Sequence, residues 1–136
     1  MSEIKNIEFD TGIITKAELE LIFDTLPVDI TFVGNNDEVK YFNKLKTRIF
    51  KRSPSVIGLN VKNCHPKKSL DKVQEILDAF KNKKRDVAEF WINLDNRLIY
   101  IRYFPIYDNK DEYIGCLEVS QDITDIKKIE GEKRLL

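Results

Sequence analysis

Apolar residues recur along this chain first with helical and later with strand-like spacing. The segment 15–26 is predicted to be an α-helix because its apolar side chains fall on one face. Thr15 and Glu18 fit a capping box at its start, and Pro27 marks its end. The residues of the apolar face are Leu19, Ile22, Phe23 and Leu26.

The middle of the chain predicts a hairpin and two further helices. Apolar runs at 30–33 and 39–42 flank a cluster of turn-forming residues, which predicts a β-hairpin. Residues 43–50 return to helical spacing and predict a short helix, followed by irregular structure as far as Pro66. A longer helix is predicted over 69–81. Its apolar face is formed by Leu70, Val73, Ile76, Leu77 and Phe80.

Three long strands are predicted after this helix, over 86–94, 98–107 and 113–124. The second of them is apolar on both sides, which indicates an interior position in a sheet. The tail 125–136 has helical composition but a thin apolar stripe, so a helix there needs a partner, a second copy or a following domain to pack against. Residues 1–14 are predicted to form a loosely tied arm.

Length and composition fit one globular domain, because 136 residues of which 42% are apolar are enough to bury a core. The 23 Lys and Arg balance the 23 Asp and Glu, which argues against nucleic acid or an anionic membrane as a partner. Without a signal peptide or an apolar run of roughly 18 residues, a cytoplasmic protein is expected. Cys64 and Cys116 fit reduced thiols.

Four short motifs point to a family. The most specific is the segment 118–124, which ends in Asp122-Ile123-Thr124. The others are Leu26-Pro27 followed by the apolar run to Val33, the segment Val39-Lys40-Tyr41-Phe42-Asn43, and Ile57-Gly58-Leu59-Asn60. With the order of the elements, they make residues 15–124 resemble a PAS domain. The resemblance implies an α+β fold in which helices pack on one face of a five-stranded antiparallel sheet.

The resemblance also implies a function. PAS domains are sensory and signalling modules, so this chain is expected to bind a small ligand or cofactor in its core and to act through homodimerisation. Asp122 and Thr124 would relay the signal to a C-terminal helix that starts in 125–136, and from there to a fused or separate effector domain. The alternative is a ligand-free PAS module for protein–protein interaction. No enzyme is expected, because no catalytic motif is recognisable.

A narrower resemblance rests on Cys64-His65-Pro66 and on the ending 130–136. These segments are similar to a PAS subgroup of anaerobic bacteria and archaea that is often fused to a hemerythrin-like domain. One histidine cannot supply a di-iron site, so such a domain would lie elsewhere.

The predicted cofactor-binding residues would converge between the sheet and the helices. A ligand pocket and a closed, packed core are both open alternatives, because bulky apolar side chains can fill such a space. The predicted lining residues are His65, Phe32, Phe42, Ile57, Leu77, Phe90, Ile101 and Leu117.

His65 is the single histidine and is the candidate metal ligand if heme is bound. The alternative is a structural or surface role, because the axial histidine of heme-binding PAS domains usually lies within the long helix. Cys64 beside it is either a redox thiol or an inert one. A flavin–cysteine adduct is not expected, because Val61 stands where flavin-binding relatives have the reactive cysteine.

The predicted strands carry a second group of candidates on the open face of the sheet. Arg102 and Glu89, with Tyr100 or Trp91 beside them, either orient a small acid or aromatic ligand or form a cross-strand ion pair. An apolar patch of Trp91, Ile99 and Ile114 is predicted to be buried in a dimer.

Overall fold

The computed structural model describes residues 5–136. Within that range the strands are β1 (Asn6–Phe9), β2 (Gly12–Thr15), β3 (Asp29–Gly34), β4 (Val39–Phe42), β5 (Ala88–Leu94), β6 (Arg97–Tyr107) and β7 (Tyr113–Asp122). The α-helices are α1 (Lys16–Thr25) and α2 (Leu70–Lys81), and 3-10 turns occur at Pro54–Val56, Val61–Cys64, Lys67–Ser69 and Ile126–Lys128. No helix in this part of the chain is long and apolar enough to cross a membrane.

The main sheet has five antiparallel strands in the order β4-β3-β7-β6-β5. The predicted α+β architecture is therefore confirmed. β7 is the central strand, and β6 lies between β7 and β5, in agreement with its two apolar faces. The predicted hairpin is formed by β3 and β4.

The register separates two faces of this sheet. Thr31, Glu118 and Tyr103 are directly opposite one another on β3, β7 and β6, and their side chains share one face. We call it the inner face; it also carries Asp29, Val33, Ile101, Cys116 and Ser120. Helix α2 packs on it. The buried apolar cluster between them comprises Val33, Val61, Val73, Leu77, Phe80, Ala88 and Cys116.

Helix α1 begins with the predicted capping box. The backbone N–H of Glu18 donates to Thr15 Oγ1 at 3.0 Å, and the N–H of Thr15 donates to a Glu18 carboxylate oxygen at 2.9 Å. The Phe23 ring lies 5.8 Å from that of Tyr41, whose strand partner Phe32 is on the outer face. This helix therefore meets the sheet on the face opposite α2, so the two helices do not share one face as the resemblance implied.

The N-terminal arm contains more structure than its sequence indicates. Strands β1 and β2 form a separate antiparallel hairpin, in which Phe9 pairs with Gly12 across the turn. Its four-residue strands are too short for a clear alternating pattern. Residues 1–4 of the predicted arm lie outside the described residues.

The prediction of a short helix over 43–50 is wrong. No helix is formed there, and the backbone N–H groups of Ile49 and Phe50 instead donate to Asp29 Oδ2 at 2.7 and 3.0 Å. A helix would direct these N–H groups to carbonyls four residues earlier. The buried carboxylate of a distant strand therefore overrides the local helical spacing.

The tail also differs from its prediction. The signalling helix expected in 125–136 is reduced to the single 3-10 turn Ile126–Lys128, and Gly131 takes a positive φ of 65°. Ile129 is 73% exposed. Because nothing covers its thin apolar stripe, this segment lacks the packing that a short helix needs.

The predicted dimer patch is split between the two faces. Trp91 is 64% and Ile114 39% exposed, whereas Ile99 is fully buried. Ile99 pairs with Ile92 and Asp122 and shares the inner face with Ile101, so placing it on the open face was wrong. A strand that is apolar on both sides does not reveal which of its sides faces the helices.

Candidate ligand site

The inner face has an apolar end under α2 and a second, polar end. The segment 43–66 covers the polar end, because its side chains reach residues of β3 and β7. We define the polar end by Asp29, Thr31, Asn43, Arg48, Arg52, His65 and Glu118. It lies on the neighbouring strands β3 and β7, where the sequence predicts an apolar lining.

Asn43 and Arg48 form the rigid part of the polar end. The fully buried Asn43 amide accepts from the N–H of Ile30 at 2.8 Å and donates to two backbone carbonyls at 2.9 Å. Arg48 donates to Thr31 Oγ1 at 2.9 Å, to Asn43 Oδ1 at 3.0 Å and to the carbonyl of Phe50 at 2.8 Å. These bonds satisfy both side chains and fix the start of segment 43–66.

Glu118 is held more loosely. Arg52 Nη2 lies 3.4 Å from Glu118 Oε2, and His65 Nε2 lies 4.0 Å from Glu118 Oε1. Both distances exceed those of a strong charge-assisted hydrogen bond. Only 11% of the Glu118 side chain is exposed, and burial raises the pKa of its carboxyl to about 7, although Arg52 and Arg48 oppose that shift.

Two buried nitrogen atoms next to Glu118 lack hydrogen-bond partners. They are Arg52 Nε and His65 Nε2. Burial, and secondarily the charge of Arg52, lowers the pKa of His65, which favours the neutral imidazole. A buried polar atom without a partner costs about 1–3 kcal/mol. The polar end is therefore built at a cost in stability.

The structure divides the predicted lining residues among several places. Leu77 lies in the buried cluster under α2, and Ile101 is buried on the inner face of the sheet. By register Phe42 and Phe90 are also on the inner face, although Phe90 is 36% exposed. Ile57 is 46% exposed and lines an open cleft beside the β3–β4 turn.

Phe32 and Leu117, predicted to line the core site, lie on the outer face of the sheet instead. Leu117 is paired there with Phe32 on one side and with Phe104 on the other. Their neighbours Val33 and Cys116 are apolar too and point inward. With apolar residues at consecutive positions, the alternating pattern could not decide which set forms the core.

Sequence reasoning also missed Arg52, Glu118 and Tyr103 as site residues. Tyr103 is opposite Glu118 on β6, and burial, together with the nearby carboxylate, raises the pKa of its hydroxyl. A signal was present, because Cys116, Glu118 and Ser120 are the small or polar half of an alternating strand. That half would ordinarily be assigned to solvent.

The geometry does not fit heme. His65 Nε2, the nitrogen that would bind iron, is buried and lies 4.0 Å from a carboxylate of the central strand, which leaves no room for a porphyrin between them. Among residues 5–136, no three His, Cys, Asp or Glu side chains are placed to hold a metal ion. Val61, at the place of a flavin-reactive cysteine, belongs to the apolar core.

Asp122 and Thr124 form the predicted joint at the end of β7. The N–H and hydroxyl of Thr124 both donate to Asp122 Oδ1, at 3.0 and 2.6 Å, and these bonds lower the pKa of the Asp122 carboxyl. The Thr124 hydroxyl oxygen accepts from the N–H of Leu98 at 2.9 Å. The chain that leaves the sheet is thereby tied to the first residues of β6.

On the outer face, Glu89 and Arg102 occupy directly opposite positions on β5 and β6, as predicted. They do not use each other as the main partner. The Tyr100 hydroxyl donates to Glu89, and the Arg102 guanidinium lies over the rings of Tyr100 at 4.8 Å and Phe104 at 5.6 Å.

Comparison with known proteins decides the family. A family model described as a PAS domain matches residues 19–124. The chain belongs to the PAS domain family. PAS domains are generally sensory modules without catalytic activity, so this membership supports a role in signalling. Among curated proteins, no sequence matches the chain.

Solved structures show the same PAS fold. The C-terminal domain of a Streptococcus mutans protein is 31% identical, with a TM-score of 0.85 over 95% of this chain and 100% of that one. A PAS domain from Colwellia psychrerythraea has 19% identity and a TM-score of 0.59, covering 80% and 97% of the two chains. A sensory box sensor histidine kinase from Vibrio cholerae has 15% identity and a TM-score of 0.56, covering 80% and 91%.

Proposed function

We propose that this PAS domain is a sensor that binds a small ligand at the polar end of the inner face and relays the signal along β7. The observation that carries the proposal is the pair of buried, unpartnered nitrogens, Arg52 Nε and His65 Nε2. Both belong to side chains next to the buried carboxylate of Glu118.

The energetics of the polar end support ligand binding. Most buried donors in folded proteins are satisfied, as those of Asn43 and Arg48 are, although Asp37, Arg102 and Tyr113 also carry a buried atom without a partner. The pair at the polar end differs because both nitrogens belong to side chains that adjoin one buried carboxylate. A ligand that supplies the missing partners removes the penalty of about 1–3 kcal/mol for each atom. The same penalty thus becomes a source of affinity.

The relay follows from the position of Glu118 on the central strand. Glu118 and Asp122 lie on the same strand, β7, and Asp122 binds Thr124 at the exit of the sheet. A ligand that changes the contacts of Glu118 acts directly on this strand. The Asp122–Thr124 joint then transmits the change to residues 125–136 and to a fused or separate effector.

Homodimerisation completes the proposal. Trp91 on the outer face and Leu21 on α1 are each 64% exposed, and Ile13 of the hairpin is 60% exposed. Exposed apolar side chains on several elements favour burial in a second copy. A cytoplasmic location stays a prediction from the sequence, and fractionation of cells tests it. A fused effector, as in the PAS subgroup joined to hemerythrin-like domains, is also a prediction, and the full-length coding region tests it.

A ligand-free interaction module is the second candidate function. The exposed apolar side chains of α1 and the outer face favour it, since these surfaces suit a protein partner without any core ligand. The two functions differ in one respect: only the sensor changes its stability or its partner when a small molecule enters the polar end.

Native mass spectrometry tests the sensor. We expect the purified protein to carry a small molecule that is released on denaturation, and the double variant Arg52→Met with Glu118→Leu to carry none. Glu112→Gln, an exposed carboxyl in the β6–β7 turn, is the matched control and should retain the ligand. A wild-type protein that carries nothing, and whose melting temperature no compound library shifts, supports the interaction module instead.

A further inference from the structure

We propose that the ligand is a small monocarboxylate and that each anion enters the polar end with one proton, which Glu118 takes up. This inference rests on the ligand site proposed above and adds its chemical class and its coupling to protons. The proton comes from solvent and bonds to a Glu118 oxygen, and no bond of the ligand is broken.

The polar end offers unpartnered nitrogen atoms to a ligand. Arg52 Nε carries a hydrogen and has no partner, and His65 Nε2, also without one, carries the hydrogen in one of the two tautomers of the neutral imidazole. In that tautomer the two N–H groups suit the two oxygens of a carboxylate. A protonated Glu118 supplies a third donor between β3 and β6, where Thr31 and Tyr103 flank it.

The balance of charge limits which ligands the polar end can accept. Two cations, Arg48 and Arg52, and two carboxylates, Asp29 and Glu118, face one another in this region. Their formal charges cancel while the imidazole is neutral. An added anion would leave a buried negative charge, which is costly, unless one carboxylate becomes neutral. One monoanion and one proton together preserve the balance, whereas a dianion would not.

Of the two carboxylates, Glu118 is the one without close donors. Asp29 accepts backbone hydrogen bonds from Ile49 and Phe50 at 2.7 and 3.0 Å. Glu118 has only the long contacts to Arg52 and His65, and burial brings its pKa to about 7. Glu118 is therefore the group that takes up a proton near neutral pH.

The groups around Glu118 come from every element packed there. Segment 43–66 contributes Arg48, Arg52 and His65, β6 contributes Tyr103, and β3 contributes Asp29. Cys116 precedes it on β7, and burial raises the pKa of that thiol. On α2, Asp71, Lys72, Glu75 and Asp78 are exposed, and Lys81 pairs with Asp37 at 2.8 Å. None of these groups provides Glu118 with a closer cation than Arg52.

Binding also exchanges the partner of Arg52. The guanidinium releases its 3.4 Å contact with Glu118 and pairs with the ligand carboxylate. Glu118, now neutral, donates to the same ligand. Because Glu118 is on β7, the same side chain contacts the ligand and starts the proposed relay along that strand.

Isothermal titration calorimetry of the intact chain tests this inference. The probes are acetate, butyrate and benzoate, each compared with its neutral amide, in two buffers of different ionisation enthalpy. Near pH 8 we expect uptake of about one proton per carboxylate bound, and an affinity that falls about tenfold for each pH unit above about 7. The amides should bind at least tenfold more weakly.

Variants assign the proton. Glu118→Gln should still bind the acids but without proton uptake and with a flat pH profile, and Arg52→Met should lose binding at least tenfold. Glu112→Gln should behave as the wild type. Proton uptake that persists in Glu118→Gln overturns the inference, as does tighter binding of the amides. If native mass spectrometry finds a neutral ligand and no acid binds, this inference fails while the proposed sensor stands; if neither finds any ligand, both fail.

Discussion

Along β3 and β7 the inner face changes from apolar to polar within two residues. Val33 and Cys116 are opposite each other in the apolar end, whereas Thr31 and Glu118 are opposite each other in the polar end. The first pair packs against α2, and the second lies under an irregular segment whose arginines and histidine come from 43–66. The same strands thus carry the apolar core at one end and the proposed ligand site at the other.

The apolar end should respond most strongly to truncation. Phe80 on α2 is fully buried, so Phe80→Ala should lower the free energy of unfolding by about 3–5 kcal/mol. Lys72→Ala on the exposed side of the same helix is the control, with a change below about 0.5 kcal/mol. Urea denaturation measures both, and a loss below about 1 kcal/mol for Phe80→Ala would mean that α2 contributes little to the core.

The polar end should instead make stability depend on pH. The pKa of Glu118 is about 7 when folded against 4.5 for a free carboxyl, so between these values only the unfolded chain loses the proton and stability falls as pH rises. The loss is about 3 kcal/mol at most. His65 acts in the opposite direction, because its lowered pKa removes stability as the pH falls through 6.5.

Glu118→Gln isolates the carboxyl. Since glutamine resembles the protonated acid, the variant should match the wild type near pH 5 and exceed its unfolding free energy at pH 8. Thermal or urea unfolding across this range measures the difference. A constant difference at every pH would show that Glu118 does not titrate in the folded protein.

A substitution of Asn43 tests the part of the polar end that stabilises the fold, as distinct from the proposed ligand-binding part. Asn43→Ala removes the acceptor of Ile30 N–H and the donors to Phe23 and Val28, and should destabilise the protein by about 2 kcal/mol at every pH. Asn36→Ala, in the exposed β3–β4 turn, provides the comparison. If Asn43→Ala were neutral, the rigid part of the polar end would not be needed for folding.

The joint at the end of β7 should have the smallest effect on stability. Thr124→Val keeps the shape but removes the hydroxyl that bonds Asp122 and Leu98, at a cost of about 1 kcal/mol. Hydrogen exchange at the Leu98 amide should become faster, while exchange in α2 stays unchanged. Unchanged protection of Leu98 would show that the joint is not held through Thr124.

The sequence was sufficient for what depends on periodicity. Helix α2 and the strands of the main sheet were predicted because their apolar residues repeat at 3.6 or 2 positions over long segments. Asp122 and Thr124 were also predicted, since short polar side chains at a strand exit bond to local groups. These features are decided by residues close together in the chain.

The polar end could not be predicted for a physical reason. Ile30 and Leu117 alternate with Asp29 and Glu118, and the usual rule turns the apolar set inward. The structure turns the polar set inward, because Arg48, Arg52 and the backbone of 49–50 supply hydrogen-bond partners from 17 to 66 residues away. Segment 43–66 has no regular period, so its contacts are visible only in three dimensions.

The central claim is that Arg52 and Glu118 serve recognition and not stability, and the unfolding free energy of the double variant Arg52→Met with Glu118→Leu tests it most directly. Replacing a buried ion pair by apolar side chains of similar size is often neutral or stabilising by about 1–4 kcal/mol. We therefore predict a double variant at least as stable as the ligand-free wild type. A loss of about 2 kcal/mol or more would contradict this account and make the polar end a structural element of the fold.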